Sequence, residues 1–251
     1  MHRIPRFAPL LTLLALVLAL APARAQDTPA VPDTIVIRTP ENDARRLFNE
    51  GNELLRTEDF EGALAKFEGG LELDPTSTRN AYGRALALVQ LDREEEATAA
   101  FAQAIELADA AEDAETGTAA RRALGTIAFR NATAMLQANP LPAETAESAL
   151  PLLEQAEAGG VDSGQLPYQF ARVYNALDQH EDAARYAEQA VGANEGGDLS
   201  PYYIELGLAR KETGDIAGAR TAFEEAKSGS WGSWAEHYLR ELDTMEASEG
   251  G

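Results

Sequence analysis

The sequence predicts an all-α protein, a right-handed solenoid of about five antiparallel helix pairs closed by a C-terminal capping helix. Three observations carry that reading. From residue 41 onward alanine, leucine, glutamate and arginine dominate, and these are strong helix formers. A small–bulky–small triplet with spacings of four and three residues recurs at Ala63, Phe67 and Gly70, at Ala97, Phe101 and Ala104, and at Ala149, Leu153 and Ala156. It returns at Ala183, Ala187 and Ala190, where the bulky residue is missing, and at Ala219, Phe223 and Ala226. The leading alanines stand 34, 52, 34 and 36 residues apart, a period that marks stacked units rather than a single globular core.

Each triplet has a partner group upstream with one-face helical spacing. Leu47, Gly51 and Leu54 precede Ala63, and Ala81, Ala85 and Leu88 precede Ala97. Phe170, Ala171 and Tyr174 precede Ala183, while Tyr203, Leu206 and Gly207 precede Ala219. The small residue in each group belongs where two backbones approach closely. Short polar turns separate the helices of a pair at Thr57-Glu58-Asp59, Leu91-Asp92, Asp178-Gln179-His180 and Thr213-Gly214-Asp215. Breaks between pairs fall at Asp74-Pro75, at residues 195–198 and at Ser200-Pro201. Gly69-Gly70, Gly159-Gly160 and Gly196-Gly197 each read as a helix end, the usual place for a glycine cap.

With both halves of the unit in view, the chain resembles the tetratricopeptide repeat family. The family pattern W-x2-L-G-x2-Y followed by A-x3-F and P is met best by the first unit, through Leu47, Gly51, Leu54, Ala63, Phe67 and Pro75. The last unit follows with Tyr203, Leu206, Gly207, Ala219 and Phe223. No unit carries tryptophan in the leading slot. The resemblance implies a superhelical array over residues 41–228, with repeats near 44–77, 78–111, 117–158, 164–197 and 200–228. The third unit is irregular. Residues 109–115 read either as an extension of the preceding helix or as a loop, and residues 118–137 as one long helix ended by Asn139-Pro140. This gives a lengthened helix pair or a binding insertion.

Residues 229–246 supply the capping helix, with Trp231 and Trp234 expected to cover the last repeat, because a terminal unit otherwise leaves its apolar face wet. The tail 247–251 is expected to be disordered. At the other end, Arg3 and Arg6, an apolar run at residues 10–20 and the small residues Ala21, Ala23 and Ala25 have the order of a cleavable signal peptide over residues 1–25. An uncleaved anchor is the alternative, although eleven apolar residues fall short of the ~20 that a membrane span needs. Residues 26–40, with Pro29, Pro32 and Pro40, read as a tether, with one local strand at Ile35-Val36-Ile37.

Export implies a periplasmic or extracellular protein held together by packing alone, since cysteine is absent. Removal of residues 1–25 leaves 18 basic against 42 acidic side chains, a formal charge of −24. Such a surface disfavours nucleic acid and anionic headgroups. It reflects either a salt-adapted source or a function. Catalysis finds no support: His180 and His237 lack metal-ligand spacing and read as exposed polar residues, and no phosphate loop or nucleophile elbow is present. No cofactor, metal or catalytic residue is expected. The array is therefore read as a monomeric, non-enzymatic scaffold that binds a protein or peptide. The alternative is a permanent subunit of a larger envelope assembly machine.

The family resemblance also implies where a partner would lie, because the first helix of each pair lines the concave face. Applied to the four regular units, the family's facing positions select Arg45, Phe48, Asn52, Leu55 and Arg56, then Arg79, Tyr82, Leu86, Val89 and Gln90. They continue with Gln165, Tyr168, Arg172, Asn175 and Ala176, then Pro201, Ile204, Leu208, Lys211 and Glu212. Five of these are basic and one is acidic, against the strong acid excess of the whole chain. The expected ligand is an extended, carboxylate-rich segment. The competing reading is that the arginines merely offset nearby acids. Asn52 falls where the family's carboxylate-clamp members place asparagine, but Phe48 stands where they carry lysine, so that clamp is not assigned.

Overall fold

A computed structural model of the chain describes residues 39–194 and 196–249; the expected signal peptide and nearly all of the tether lie outside the described residues. Within them the secondary structure consists of eleven α-helices. They are α1 Pro40–Arg56, α2 Phe60–Leu73, α3 Thr78–Gln90, α4 Glu94–Ala110, α5 Ala114–Met135 and α6 Ala143–Ala158. There follow α7 Gln165–Ala176, α8 His180–Ala193, α9 Ser200–Glu212, α10 Ile216–Ala226 and α11 Gly232–Glu249. Consecutive helices pack as hairpins, giving five pairs and a final single helix. Pro40 belongs to the first helix rather than the tether. It occupies the first turn, where a missing N–H removes no helical bond, and the Thr39 hydroxyl caps Asn42 N at 3.2 Å.

One turn design recurs. Glu58, Asp92, Asp178 and Gly214 all have positive φ, and each lies between the two helices of a pair. The following N–H closes a six-residue ring onto the helix just ended: Asp59 onto Leu54 O, Arg93 onto Leu88 O, Gln179 onto Tyr174 O and Asp215 onto Arg210 O, at 2.9–3.0 Å. Asp59 and Asp215 then cap the next helix through Gly62 N and Gly218 N. A left-handed conformation costs a non-glycine residue ~1 kcal/mol, but the ring bond and the new cap repay several otherwise orphaned backbone groups.

The same turn stands between α4 and α5, with Glu112 at φ 53° and Asp113 N bonded to Ala108 O. Residues 109–115 are therefore neither a loop nor wholly an extension, and α5 begins at Ala114 rather than near residue 118. The extra length of the third unit lies inside the pair. It comes from the 22 residues of α5 and the connection before α6, so the unit is a lengthened helix pair.

The five leading alanines, Ala63, Ala97, Ala149, Ala183 and Ala219, are all fully buried, as are Phe67, Phe101, Leu153 and Phe223. The rings sit in contacts that only a small residue permits. A Cβ on Gly51 would lie 2.6 Å from the Phe67 ring, one on Gly83 2.5 Å from the same ring, and one on Gly207 2.3 Å from Phe223. Phe67 is thus gripped by the first helix of its own pair and the first helix of the next. In the fourth unit, where Ala187 leaves the bulky slot empty, Phe170 and Tyr186 stack at 4.5 Å and Tyr174 lies 5.5 Å from Tyr186. Gly69 and Gly70 are inside α2 and do not end it. A Cβ on Gly70 would lie 2.4 Å from Oδ1 of the buried Asn80, whose Nδ2 donates to Ala44 O. Gly159, by contrast, caps α6 as expected.

The final helix covers the array with Ala235, Leu239 and Leu242, all buried, and with Tyr238 stacked on Phe223 at 5.1 Å. Trp234 does not share that work and is 48 % exposed. Its neighbour Ala235 takes the close crossing, and Trp234 turns onto Tyr238 and Trp231 instead. Nor is the tail disordered from 247: Ala247, Ser248 and Glu249 continue the helix, with no glycine or proline to stop it before Gly250.

Gly51→Ala tests the packing. Helix propensity favours alanine by up to about 1 kcal/mol, whereas overpacking a buried ring costs about 1–3 kcal/mol, so the variant should unfold at lower denaturant. Gly69→Ala, whose Cβ meets only Leu47 Cδ1 at 3.5 Å, should gain about 0.5–1 kcal/mol. Denaturant titration reads both, and equal shifts would contradict the packing assignment.

Candidate functional site

Curvature of the array follows from which helices touch. α1 meets α3, α3 meets α5, α7 meets α9 and α9 meets α11, whereas no two second helices meet to the same extent. The first helices therefore line the shorter, inner arc. Along it the sequence-selected residues separate into two groups.

At the N-terminal end Arg45 and Arg79 are exposed and border an open cavity of about 440 Å³ shared with Phe48 and Thr78. Three acids border it too, but local donors engage them. Asp74 accepts from Thr76 N and Oγ1, and Asp113 accepts from Thr78 Oγ1 at 2.7 Å and Thr116 N at 3.1 Å. Hydrogen bonding from Thr78 holds the Asp113 carboxyl below its usual range, with Arg79 adding a smaller Coulombic pull. The Glu41 carboxyl is lowered by a backbone hydrogen bond at the helix start and by Thr39. Among the described residues neither Arg45 nor Arg79 makes an ion pair or a hydrogen bond. Phe48 and Tyr82 are half-buried, 6.0 Å from Phe67 and 5.8 Å from Phe101, so they are part core and part groove. Asn52 is half-buried one turn after Phe48 on α1, and at the end of that helix Arg56 pairs with Glu53.

At the C-terminal end the selected residues are consumed internally. Arg172 donates to Leu136 O at 2.6 Å, Ala138 O at 2.7 Å and Gln169 Oε1 at 3.1 Å, which ties down the connection after α5. Lys211 is held by Glu241 at 2.9 Å and Glu212 at 3.3 Å. Gln165 donates to Tyr202 Oη, and Tyr168 meets the Tyr202 ring edge-on at 4.9 Å. Burial pushes the Tyr168 hydroxyl up to about 12. Asn175 donates to Glu205 O at 3.0 Å and Glu205 Oε2 at 2.8 Å.

Glu205 is the residue that sequence reasoning missed. It stands two positions after Tyr203, outside the facing positions that the family resemblance selects, and one glutamate among 42 acids carries no signal. Of the two histidines within the array and cap, His237 is exposed as expected. His180 is half-buried, its Nδ1 3.5 Å from Asn175 Oδ1. No group of described residues could hold a metal ion, and no described helix is long and apolar enough to cross a membrane.

Residues 78–110, spanning α3 and α4, match the tetratricopeptide repeat family model. No curated protein matches the chain. Among solved structures it is similar to MamA from Desulfovibrio magneticus RS-1, at 17 % identity over 84 % of this chain and 98 % of that one, with a TM-score of 0.44. It is also similar to YrrB, described as a repeat protein with an unusual peptide-binding site (18 % identity, 79 % and 92 % covered, TM-score 0.48). PilW, described as a type IV pilus biogenesis factor, follows at 16 % identity, with 74 % and 76 % covered and a TM-score of 0.34. Likeness at this level concerns the helical-repeat fold alone.

The two groups of basic residues should respond differently to charge reversal. Arg172→Glu removes charged donors from two carbonyls and should cost about 1.5–3 kcal/mol, while Arg45→Glu and Arg79→Glu should leave the unfolding midpoint unmoved. If all three unfold alike, the division of the groove is wrong.

Proposed function

We propose that the chain is an exported protein-binding scaffold of the cell envelope that holds an extended, carboxylate-bearing segment against its inner face. The observation that supports this reading is the pair Arg45 and Arg79. In a molecule with twice as many acids as bases, these two guanidiniums border an open cavity and make no hydrogen bond or ion pair among the described residues. A guanidinium fork matches a carboxylate in two parallel hydrogen bonds. Phe48 and Tyr82 beside them offer rigid apolar surface to the rest of the segment. Charge offset accounts for Arg56 and Lys211, which are paired with acids, and in part for Arg79, which acts on Asp113 at a distance, but not for Arg45.

Affinity capture from an envelope extract, with the chain lacking residues 1–25 as bait, tests the proposal. The wild type should retain a polypeptide whose binding weakens as salt rises, and the Arg45→Glu/Arg79→Glu double variant should lose it. Equal capture by both at equal salt tolerance would overturn the assignment. The chain recovered from its native compartment should begin at Gln26 by intact mass. A membrane-embedded product that retains Met1 would overturn export by cleavage.

A further inference from the structure

The row of first helices along the inner arc is interrupted once. α1 meets α3, α3 meets α5, α7 meets α9 and α9 meets α11, but α5 and α7 do not meet to that extent. α6 also packs on α7 less extensively than α2 does on α3, α4 on α5 or α8 on α9. The junction between the third and fourth pairs is therefore the thinnest of the four that join pair to pair. In an array held by nearest-neighbour contacts, bending collects where those contacts are fewest. The link across it, residues 159–164, contains three glycines, and Gly160 has φ 68° with open space around it.

What reaches α7 on the inner side is the connection that follows α5. Arg172 donates through Nη1 to Leu136 O at 2.6 Å and Gln169 Oε1 at 3.1 Å, and through Nη2 to Ala138 O at 2.7 Å. Leu136 stands at the C-terminal end of α5, where the last carbonyls lack helical partners and the helix dipole favours a cation. Pro140 and Pro142, farther along the connection, have no N–H to offer. The remainder of the junction is a core shared by Leu153 and Ala156 of α6 with Leu166 and Phe170 of α7, together with a bond from Tyr186 Oη to Glu157 at 3.3 Å. Among the described residues no further side-chain hydrogen bond or ion pair joins the first three pairs to the last two.

We propose that this junction is a hinge and that Arg172 is its clasp. Residues 40–158 form one arm and residues 165–249 the other, the α6–α7 core is the pivot, and the guanidinium holds the inner side closed. Apolar contacts are non-directional and let packed helices slide by small steps. Charge-assisted hydrogen bonds to two carbonyls instead fix position and angle. The clasp therefore sets the curvature of the inner face, and with it the distance between the Arg45 and Arg79 end and the far end of the array. Loss of the guanidinium opens the arms on that side while each arm keeps its own hairpins. The hinge is a property of the array and holds whatever the inner face binds.

The chain has no cysteine, so nitroxide pairs can be placed at exposed positions and their separation read by pulsed electron spin resonance on the full chain. Glu61→Cys with Glu225→Cys spans the hinge, Glu61→Cys with Glu154→Cys reports on the first arm, and Gln189→Cys with Glu225→Cys on the second. With Arg172 in place all three distance distributions should be narrow. Arg172→Met should broaden the spanning distribution and move its mean to longer distance, with both within-arm distributions unchanged. Arg172→Lys keeps the charge but not the two-pronged fork, so its spanning distribution should fall between those two. It carries the test if Arg172→Met does not fold. A purely stabilising role for Arg172 would lower the unfolding midpoint and leave the spanning distribution in place, which would overturn the hinge. So would equal broadening of all three pairs. Movement of the Glu61–Glu154 pair alone would put the pivot inside α5 and contradict the assignment.

Discussion

The array depends on how closely a first helix can approach the aromatic ring of its own pair. Phe67 is fully buried because Gly51 on α1 and Gly83 on α3 present bare backbone to its two sides. Phe223 is seated against Gly207 in the same way. A glycine in the middle of a helix costs about 1 kcal/mol relative to alanine, whereas loss of a buried phenylalanine side chain costs about 3–5 kcal/mol, so the ring contact outweighs the weaker helix. Gly83 belongs to the next unit, and the contact therefore joins pair to pair as well as helix to helix. Stacking in a solenoid has to come from such nearest-neighbour terms, since distant units never touch.

Tight stacking on one side creates the functional surface. Contacts of α1 with α3, α3 with α5, α7 with α9 and α9 with α11, unmatched to that extent among the second helices, give an inner arc on which side chains converge. On a surface with this much negative charge, convergence is what makes Arg45 and Arg79 distinctive. Their neighbours Asp74 and Asp113 accept hydrogen bonds from Thr76, Thr78 and Thr116, so neither pairs directly with the guanidiniums that line the cavity. The helix start at Asp113 thus does two things at once: it satisfies an orphan backbone donor at Thr116 and engages an acid that would otherwise pair directly with Arg79.

Much of the fold was legible in the sequence because it is written in residue size. The leading alanines are all fully buried, and the turns within regular pairs fall where polar residues interrupt the helical period. What escaped depends on backbone conformation or on partners distant in sequence. The α4–α5 reversal at Glu112 is built like the other turns, but it is flanked by the helix formers Ala110, Ala111 and Ala114, so it looked like a loop or an extension. Trp234 has the composition of a cap residue, but Ala235 takes the crossing because a small side chain lets α11 approach closer. The groove was legible only as a set of positions. The family resemblance placed Arg172 on the inner face, yet nothing in the sequence shows that the carbonyls of Leu136 and Ala138, more than thirty residues away, engage it. Glu205 was hidden because an isolated glutamate becomes distinctive only once its burial and the bond from Asn175 are known.

The most direct test of the packing account is a double-mutant cycle between Gly51→Ala and Phe67→Leu, measured by denaturant unfolding. If glycine is present to admit the ring, Gly51→Ala should destabilise the wild type and become neutral or stabilising once the ring is removed. The coupling should then be about 1–3 kcal/mol, within the range for residues in direct contact. An equal cost for Gly51→Ala in both backgrounds would contradict the account and leave the close approach of the helices without a cause.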